Sequence, residues 1–513
     1  MAGCIATVGS VRWSAPRGML LFARNQEQSM VKLQLIHPGN DPEYASVATG
    51  YCHNPPPMGL ESLAVYAESR VRNLQTEIWD GRVTPIDQIV DSLDADIIGI
   101  SDWFTNHRTA LYLAEAAKSA NPDCVILLGG PNATNLAPRI LRNRPFVDYV
   151  VAGDGEEALA SLLAGRGPQA TPNVYCRSPD GSVGLTRRSH TNLDDIPPLS
   201  LEHLAGGALG RYDSRLFSKA FEADIAPLPV SNVRGCVKAM ASGRCSYCSV
   251  GEPTARMRSP RKAWEEFLAL QERYGISNFF ETGDILPVEY ARALLDSKPG
   301  GTSIGLRIYS QPGFLTQKDA HMLASLGVQE VFYGIESTSH RVRRAANRSE
   351  LPQDTDRVIE TLGIAGIGVF VPFILGLPGE TVQSAKEAAD LARRLAREHD
   401  NVRRFLFSLA VPLAGTAWFE NLTENEDLVA DYNSGGRDLL VDDDIDYARL
   451  TRLAIENCCE ASPEELCRIV LDCRSSLGES RIGGFGCLEE KIIADQVAVV
   501  PKTNAPVLTA RNS

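Results

Sequence analysis

No apolar run in this sequence approaches the roughly 18–20 residues that a membrane span needs. The stretch in "RGMLLFARN" is too short for a secretory leader. The expectation is therefore a cytoplasmic protein with no membrane partner. Positive charge is in deficit, with 51 Lys and Arg against 64 Asp and Glu, a formal net charge of −13. That balance argues against a nucleic-acid partner, which would call for clustered cations. A fixed-period internal repeat is also missing, which argues against a repeat architecture. What is present is the ordinary apolar content of a globular protein, spread over 513 residues, too many for one core.

The twelve cysteines are unevenly placed. Cys4, Cys52, Cys124 and Cys176 are scattered; Cys236, Cys245 and Cys248 cluster; Cys458, Cys459, Cys467, Cys473 and Cys487 gather near the C-terminus. Without secretion a disulfide framework is excluded, so clusters read as metal or redox sites and scattered cysteines as small buried residues. The central cluster, "RGCVKAMASGRCSYCS", has the spacing C-x8-C-x2-C. A structural zinc site wants a fourth ligand. The nearest histidines are His203 and His321, and no fourth cysteine lies near this loop. A four-iron cluster on three thiolates instead leaves one iron open to bind another molecule. Spacing alone leaves three readings: that cluster, zinc with a distant ligand, or a loop without metal. Arg234, Lys238 and Arg244 are placed to favour thiolates.

Two stretches alternate strand-like and helix-like runs. Over 30–165 the strands read "VKLQLIHP", "LQTEIWD", "ADIIGISDWF", "DCVILLGG" and "VDYVVAGDG". This predicts an open α/β parallel sheet, Rossmann-like, that binds a ligand at the strand C-termini. Those ends carry Ser101, Asp102, Trp103, Gly129, Gly130, Pro131, Asn132, Gly153, Asp154 and Gly155, and glycine there lets a backbone approach a large flat or phosphate-bearing ligand. Residues 166–225 read as a linker. Over 226–420 six further β/α units predict a partial or nearly closed (β/α)6 TIM barrel with the cysteines after its first strand. Residues 1–29 read as an extension and 421–513 as a small, mostly helical region with a capping box at Ser462-Pro463-Glu464-Glu465.

"RGC…RCSYCS", "FFETGD", "YGIEST" and "ILGLPGET" together resemble the radical S-adenosylmethionine (radical SAM) enzymes. The upstream sheet, with "LLGGPNAT" and "DYVVAGDGEEAL", resembles the cobalamin-binding (B12-binding) domain that precedes that barrel in one large class. The resemblance implies that Cys236, Cys245 and Cys248 hold a [4Fe-4S] cluster and that SAM chelates its open iron. Homolytic cleavage of SAM then gives a 5′-deoxyadenosyl radical. It also implies that Tyr247 lies near the adenine; that Glu281, Thr282, Gly283 and Asp284 face the SAM amino group; that Glu336 and Ser337 face ribose or carboxylate; and that Gly376, Gly379 and Glu380 form the glycine-rich turn after strand five.

Two departures bear on these implications. The family spacing is C-x3-C-x2-C, so this chain has five extra residues in the first gap, which "VKAMASG" would have to bulge outward. The D-x-H-x-x-G motif that gives cobalt a histidine ligand is absent, matching the class in which no protein histidine binds cobalt. The expected activity is a cobalamin-dependent methyltransferase acting on an unactivated carbon, with SAM as both radical source and methyl donor. The alternatives are a non-methylating rearrangement or group transfer, and a non-catalytic metal-binding relative. The expected partners are a small-molecule or peptide substrate and an electron donor such as flavodoxin or ferredoxin. The C-terminal cysteines match no metal spacing and read as buried small residues.

Overall fold

Ile97–Ser101 (IIGIS) and Val125–Gly129 (VILLG) are apolar along almost their whole length, the composition of strands covered on both faces. They lie at the centre of a seven-stranded sheet in the computed structural model. The structure describes residues 30–478 except 43, 45–54, 219–226, 250, 251 and 253, together with 482, 483 and 492. The expected extension 1–29, and Cys4, Cys52 and Cys487, lie outside the described residues.

The first unit runs β1 (Val31–His37), α1 (Met58–Arg70), β2 (Leu74–Asp80), α2 (Ile86–Val90), β3 (Ile97–Ser101), α3 (His107–Ala120), β4 (Val125–Gly129), α4 (Pro131–Asn143), β5 (Tyr149–Val151) and α5 (Glu156–Leu163). Strand order is β2-β1-β3-β4-β5, all parallel, so the switch in order falls between β1 and β3. A crevice at that place is where open α/β sheets take ligands. The expected linker is in part sheet. β6 (Val174–Arg177) and β7 (Val183–Leu185) add an antiparallel hairpin beside β5. Its strands are too short for their alternation to stand out against neighbouring Gly, Pro and Ser.

The second unit begins with β8 (Leu228–Val230), β9 (Val233–Arg234), α6 (Val237–Ser242), β10 (Arg256–Met257), α7 (Pro260–Tyr274), β11 (Asn278–Glu281), α8 (Val288–Asp296) and β12 (Gly305–Ser310). It continues with α9 (Ala320–Leu326), β13 (Val328–Tyr333), α10 (His340–Ala345), α11 (Thr355–Ile364), β14 (Gly368–Leu375), α12 (Val382–Glu398) and β15 (Val402–Leu409). The six expected strands follow in parallel order β8-β11-β12-β13-β14-β15, and a two-residue strand, β16 (Ile482–Gly483), extends the edge beyond β15. Among the described residues β8 does not pair with β16, so the barrel is partial.

The C-terminal region is helical, as expected: α13 (Ala417–Thr423), α14 (Glu426–Asn433), α15 (Tyr447–Cys458) and α16 (Pro463–Leu477). The Ser462/Glu465 capping box forms, with Pro463 at the first helical position, where its missing N–H costs nothing. Leu466, Cys467, Val470 and Cys473 enter the barrel core, whereas Leu428, Tyr432, Leu439 and Leu450 enter the core beneath the first sheet. This region braces the two units together. Cys467 and Cys473 are fully buried, and no disulfide links the described cysteines.

Candidate functional site

The C-terminal strand ends of the two sheets meet across a cleft of about 520 Å³. Ser101, Trp103, Gly129, Gly130, Pro131, Gly153, Asp154 and Gly155 line one side, and Pro229, Val230, Ser231 and Thr282 at the barrel mouth line the other. Leu35, Leu127, Leu128 and Val151 give it an apolar floor. Trp103 lies on this lining while staying 48% exposed. Two of the expected contacts are elsewhere. Asp102 and Asn132 are buried behind the wall, where Asn132 Nδ2 donates to Asp102 Oδ1 (3.1 Å) and Asp102 pairs with His107 Nδ1 (3.0 Å). They set the wall and do not line it. The cleft suits a large flat ring: glycine at four strand-end positions leaves it open, and its lining is mostly apolar.

The cysteine loop springs from the barrel mouth. Glu281, 3% exposed at the end of β11, accepts from the N–H groups of Asn232 (2.9 Å), Val233 (3.1 Å) and Gly283 (3.2 Å) and from Asn232 Nδ2 (3.0 Å). Its oxygens are thus committed to holding the turn before the loop, although burial pushes its carboxyl up to about 7. Thr282 is exposed at the cleft, and Asp284 is half-buried, its carboxyl raised to about 6 by burial. Gly235 has φ +88°, and a Cβ there would stand 2.0 Å from the Thr254 carbonyl oxygen, so no other residue fits before Cys236.

The five extra residues of the first gap are accommodated by coiling. α6 occupies Val237–Ser242, and a helix advances only about 1.5 Å per residue. The turn is strapped down. Lys238 Nζ donates to the carbonyls of Gly243 (2.6 Å) and Asn347, while Asn347 Nδ2 donates to those of Ser242 (3.2 Å) and Arg244 (2.7 Å). Ser246 is held from both sides, its N–H on the Ala346 carbonyl and its carbonyl accepting from the Trp418 N–H. Cys236, Cys245 and Cys248 are all half-buried on this one loop. Burial raises the Cys236 thiol, against the amides of Ala239 and Lys238, which favour its thiolate. Among the described residues no three Cys, His, Asp or Glu side chains converge on a single-ion site. A four-iron cluster makes no such demand, since each thiolate takes its own iron at a different corner.

Arg348, which sequence reasoning missed, joins the expected residues. Its Nη1 donates to Tyr247 Oη (3.0 Å) and approaches Cys245 Sγ (3.8 Å) and Glu336 Oε1 (3.7 Å). Burial raises the Tyr247 hydroxyl and the Glu336 carboxyl, while Arg348 opposes both shifts. Ser337 is buried beside Glu336. Arg234 and Lys238 were expected to face the thiolates. Lys238 instead ties backbone carbonyls, and Arg234 turns away to Asp154 and Glu156, whose carboxylates give it charge-assisted hydrogen bonds. Glu380 is also structural. It is fully buried under the turn, accepts from Ser384 Oγ, and burial raises its carboxyl to about 7. Gly376 (φ +85°) and Gly379 (φ +87°) shape that turn, and a Cβ on Gly376 would press on Ile455 of α15. The barrel lumen below holds an aromatic ladder, Phe280–Tyr309–Phe332–Phe370, with ring centroids 4.9, 4.9 and 4.7 Å apart.

Comparison with known proteins agrees with this geometry. Residues 47–163 match the B12 binding domain model and residues 234–392 match the Radical SAM superfamily model. The chain is 26% identical over 380 residues to an uncharacterized methyltransferase of Pyrococcus horikoshii, covering 72% of this chain and 79% of that one. It is 24% identical over 392 residues to the anaerobic magnesium-protoporphyrin IX monomethyl ester cyclase of Rubrivivax gelatinosus, covering 71% of this chain and 66% of that one. The radical SAM methyltransferase TsrM from Kitasatospora setae, solved with cobalamin and a [4Fe-4S] cluster, superposes with a TM-score of 0.58 at 16% identity, over 77% of this chain and 75% of TsrM. A B12-binding sheet followed by a radical SAM partial barrel defines the class. The chain belongs to the cobalamin-dependent radical SAM enzymes, whose cofactors are a [4Fe-4S] cluster, SAM and cobalamin. Among the described residues no helix is long and apolar enough to cross a membrane.

Proposed function

We propose that the protein methylates an unactivated carbon of a small-molecule or peptide substrate held between the first sheet and the barrel mouth. One observation carries this: the glycine-edged strand ends of the first sheet and the barrel mouth line one cleft, with Arg234, two residues before Cys236, on its wall, so a substrate there would lie near both cofactors. When bound, the cluster with SAM supplies a 5′-deoxyadenosyl radical, and cobalamin supplies a transferable methyl group. In this reading the chain's own residues position and shield. Cys236, Cys245 and Cys248 hold the cluster, Thr282 and Asp284 face the SAM amino group, and Tyr247, backed by Arg348 and Glu336, flanks the adenine. The apolar cleft walls exclude water from a reactive radical. Electrons come from a small redox protein such as a flavodoxin or ferredoxin.

The test begins with EPR on anaerobically reconstituted, reduced protein, with and without SAM, beside Cys236→Ala. A [4Fe-4S]+ signal that shifts with SAM and is lost in the variant is expected. Product analysis should then find both 5′-deoxyadenosine and S-adenosylhomocysteine. Formation of the first without the second, with a substrate consumed, would replace methylation by a rearrangement or other group transfer. That second reading draws support from the similarity to a cyclase.

A further inference from the structure

The interval carrying the three cysteines enters and leaves through one neck. β9 and β10 pair antiparallel, with Arg234 directly opposite Arg256. Two like charges facing each other across strands repel, so the pairing needs shared anions, and these come from the other domain. Arg234 Nη1 donates to Asp154 Oδ1 (3.1 Å) and Nη2 to Glu156 Oε1 (2.6 Å). Arg256 Nη1 donates to Asp154 Oδ2 (2.8 Å) and Nη2 to Asp154 Oδ1 (3.1 Å). Asp154 and Glu156 are 7% and 2% exposed. Asp154 also receives the Thr191 N–H at 2.8 Å, and Glu156 receives Ser62 Oγ at 2.8 Å. With Arg234 Nη1 also donating to Glu156 Oε2 (3.1 Å), each carboxylate is bound on both oxygens. This clamp closes the root of the cysteine loop and forms part of the wall of the cobalamin cleft, which Asp154, Glu156 and Arg234 all line.

We infer that the Arg234/Arg256–Asp154/Glu156 clamp is a positioning device that couples cluster assembly to cobalamin binding. A cluster on the three thiolates fixes the loop and hence both arginines at its neck. The arginines hold residues 154–156, which line the cleft that would take the corrin. Each cofactor thereby completes half of the other's site, and the coupling is reciprocal by linkage. Buried guanidinium–carboxylate pairs suit this role because bidentate geometry fixes orientation as well as distance. The inference rests on both cofactors being held and not on the methyl-transfer reading. Methyl transfer is decided by S-adenosylhomocysteine, and the clamp by a ratio of dissociation constants.

The test uses the full chain, cluster-free and after anaerobic reconstitution, with hydroxocobalamin titrated into each by equilibrium dialysis. Wild type is expected to bind about fivefold or more tightly when the cluster is present, at the lower edge of ordinary coupling. Arg256→Ala should bring that ratio close to one while each cofactor still binds, and Arg256→Lys should retain part of it. A purely structural role would weaken binding in both forms and leave the ratio unchanged. A wild-type ratio of one, or an Arg256→Ala ratio equal to that of wild type, overturns the inference. Should Arg256→Ala fail to fold, the wild-type ratio and Arg256→Lys decide the matter by the same criterion.

Discussion

At the scale of single residues, the strongest constraint near the cysteines comes from a residue that no motif announces. Arg348 lies about a hundred positions downstream in "RVRRAANRSE", and only the return of the chain after α10 brings it to Tyr247 and Cys245. Glu336, with φ +65° and 7% exposure, depends on it for counter-charge, with Arg343 a second, weaker source. Breaking a buried pair from one side strands the other charge. Arg348→Ala is therefore expected to destabilise the protein by about 3 kcal/mol. Adding Glu336→Gln should recover most of that loss in chemical denaturation. Equal losses in the single and double variants would show that packing, and not charge, is what Arg348 supplies. Glu281 and Glu380 teach the complementary lesson. Acids at strand ends looked like cofactor contacts in the sequence, yet both are buried beneath turns that they themselves hold. Sequence reports that a carboxylate stands at a strand end but not which way it points, since that depends on partners brought in from other strands.

At the scale of elements, the β/α alternation was legible because most of its strands are apolar runs that end in glycine-bearing turns and are separated by helix-like stretches. The hairpin β6–β7 was not, and α6 was hidden inside what read as a flexible gap. That helix is too short to persist alone, so its existence depends on Asn347 and Lys238. Asn347→Ala removes two hydrogen bonds to loop carbonyls, each worth about 1 kcal/mol. Amide hydrogen exchange over 237–248 is expected to accelerate by roughly tenfold or more, with the first sheet unaffected. Unchanged exchange in α6 would mean that Lys238 alone fastens the turn. The basic pair in "ARMRSP" was a signal that could have been read. Arg256 and Arg258 stand two apart, as on one face of a strand, and both reach buried carboxylates, Asp154 and Glu266.

On the scale of the whole molecule, the C-terminal region is a brace. Arg139 Nη1 donates to the Leu439 carbonyl (2.7 Å) and Arg144 pairs with Asp443 (2.9 Å), so residues after α14 are fastened to the first sheet while α16 lies on the barrel. At the centre sits His107, 4% exposed. Burial opposes its charge, but Asp102 at 3.0 Å and Asp443 at 3.4 Å outweigh burial and raise it to about 10. A histidine raised in the folded state contributes stability that is full below its unfolded value near 6.5 and fades as pH rises through its folded value. The brace should therefore hold at neutral pH and weaken toward pH 10. In thermal melts the gap between wild type and His107→Gln is expected to be widest near pH 6.5 and to narrow steadily by pH 10. A constant gap would assign the brace to packing and not to the imidazolium.

The neck at Val233–Arg234 and Arg256–Met257 has an evolutionary consequence. Everything between its two strands leaves and rejoins the barrel at fixed points, so an insertion there need not disturb the strands of either sheet. The interval behaves as a cassette whose length can drift while its ends stay anchored. The longer cysteine spacing is taken up between those anchored ends, and an exchange of the interval would have to carry its fastenings with it, namely Ala346, Asn347, Arg348 and the Trp418 amide.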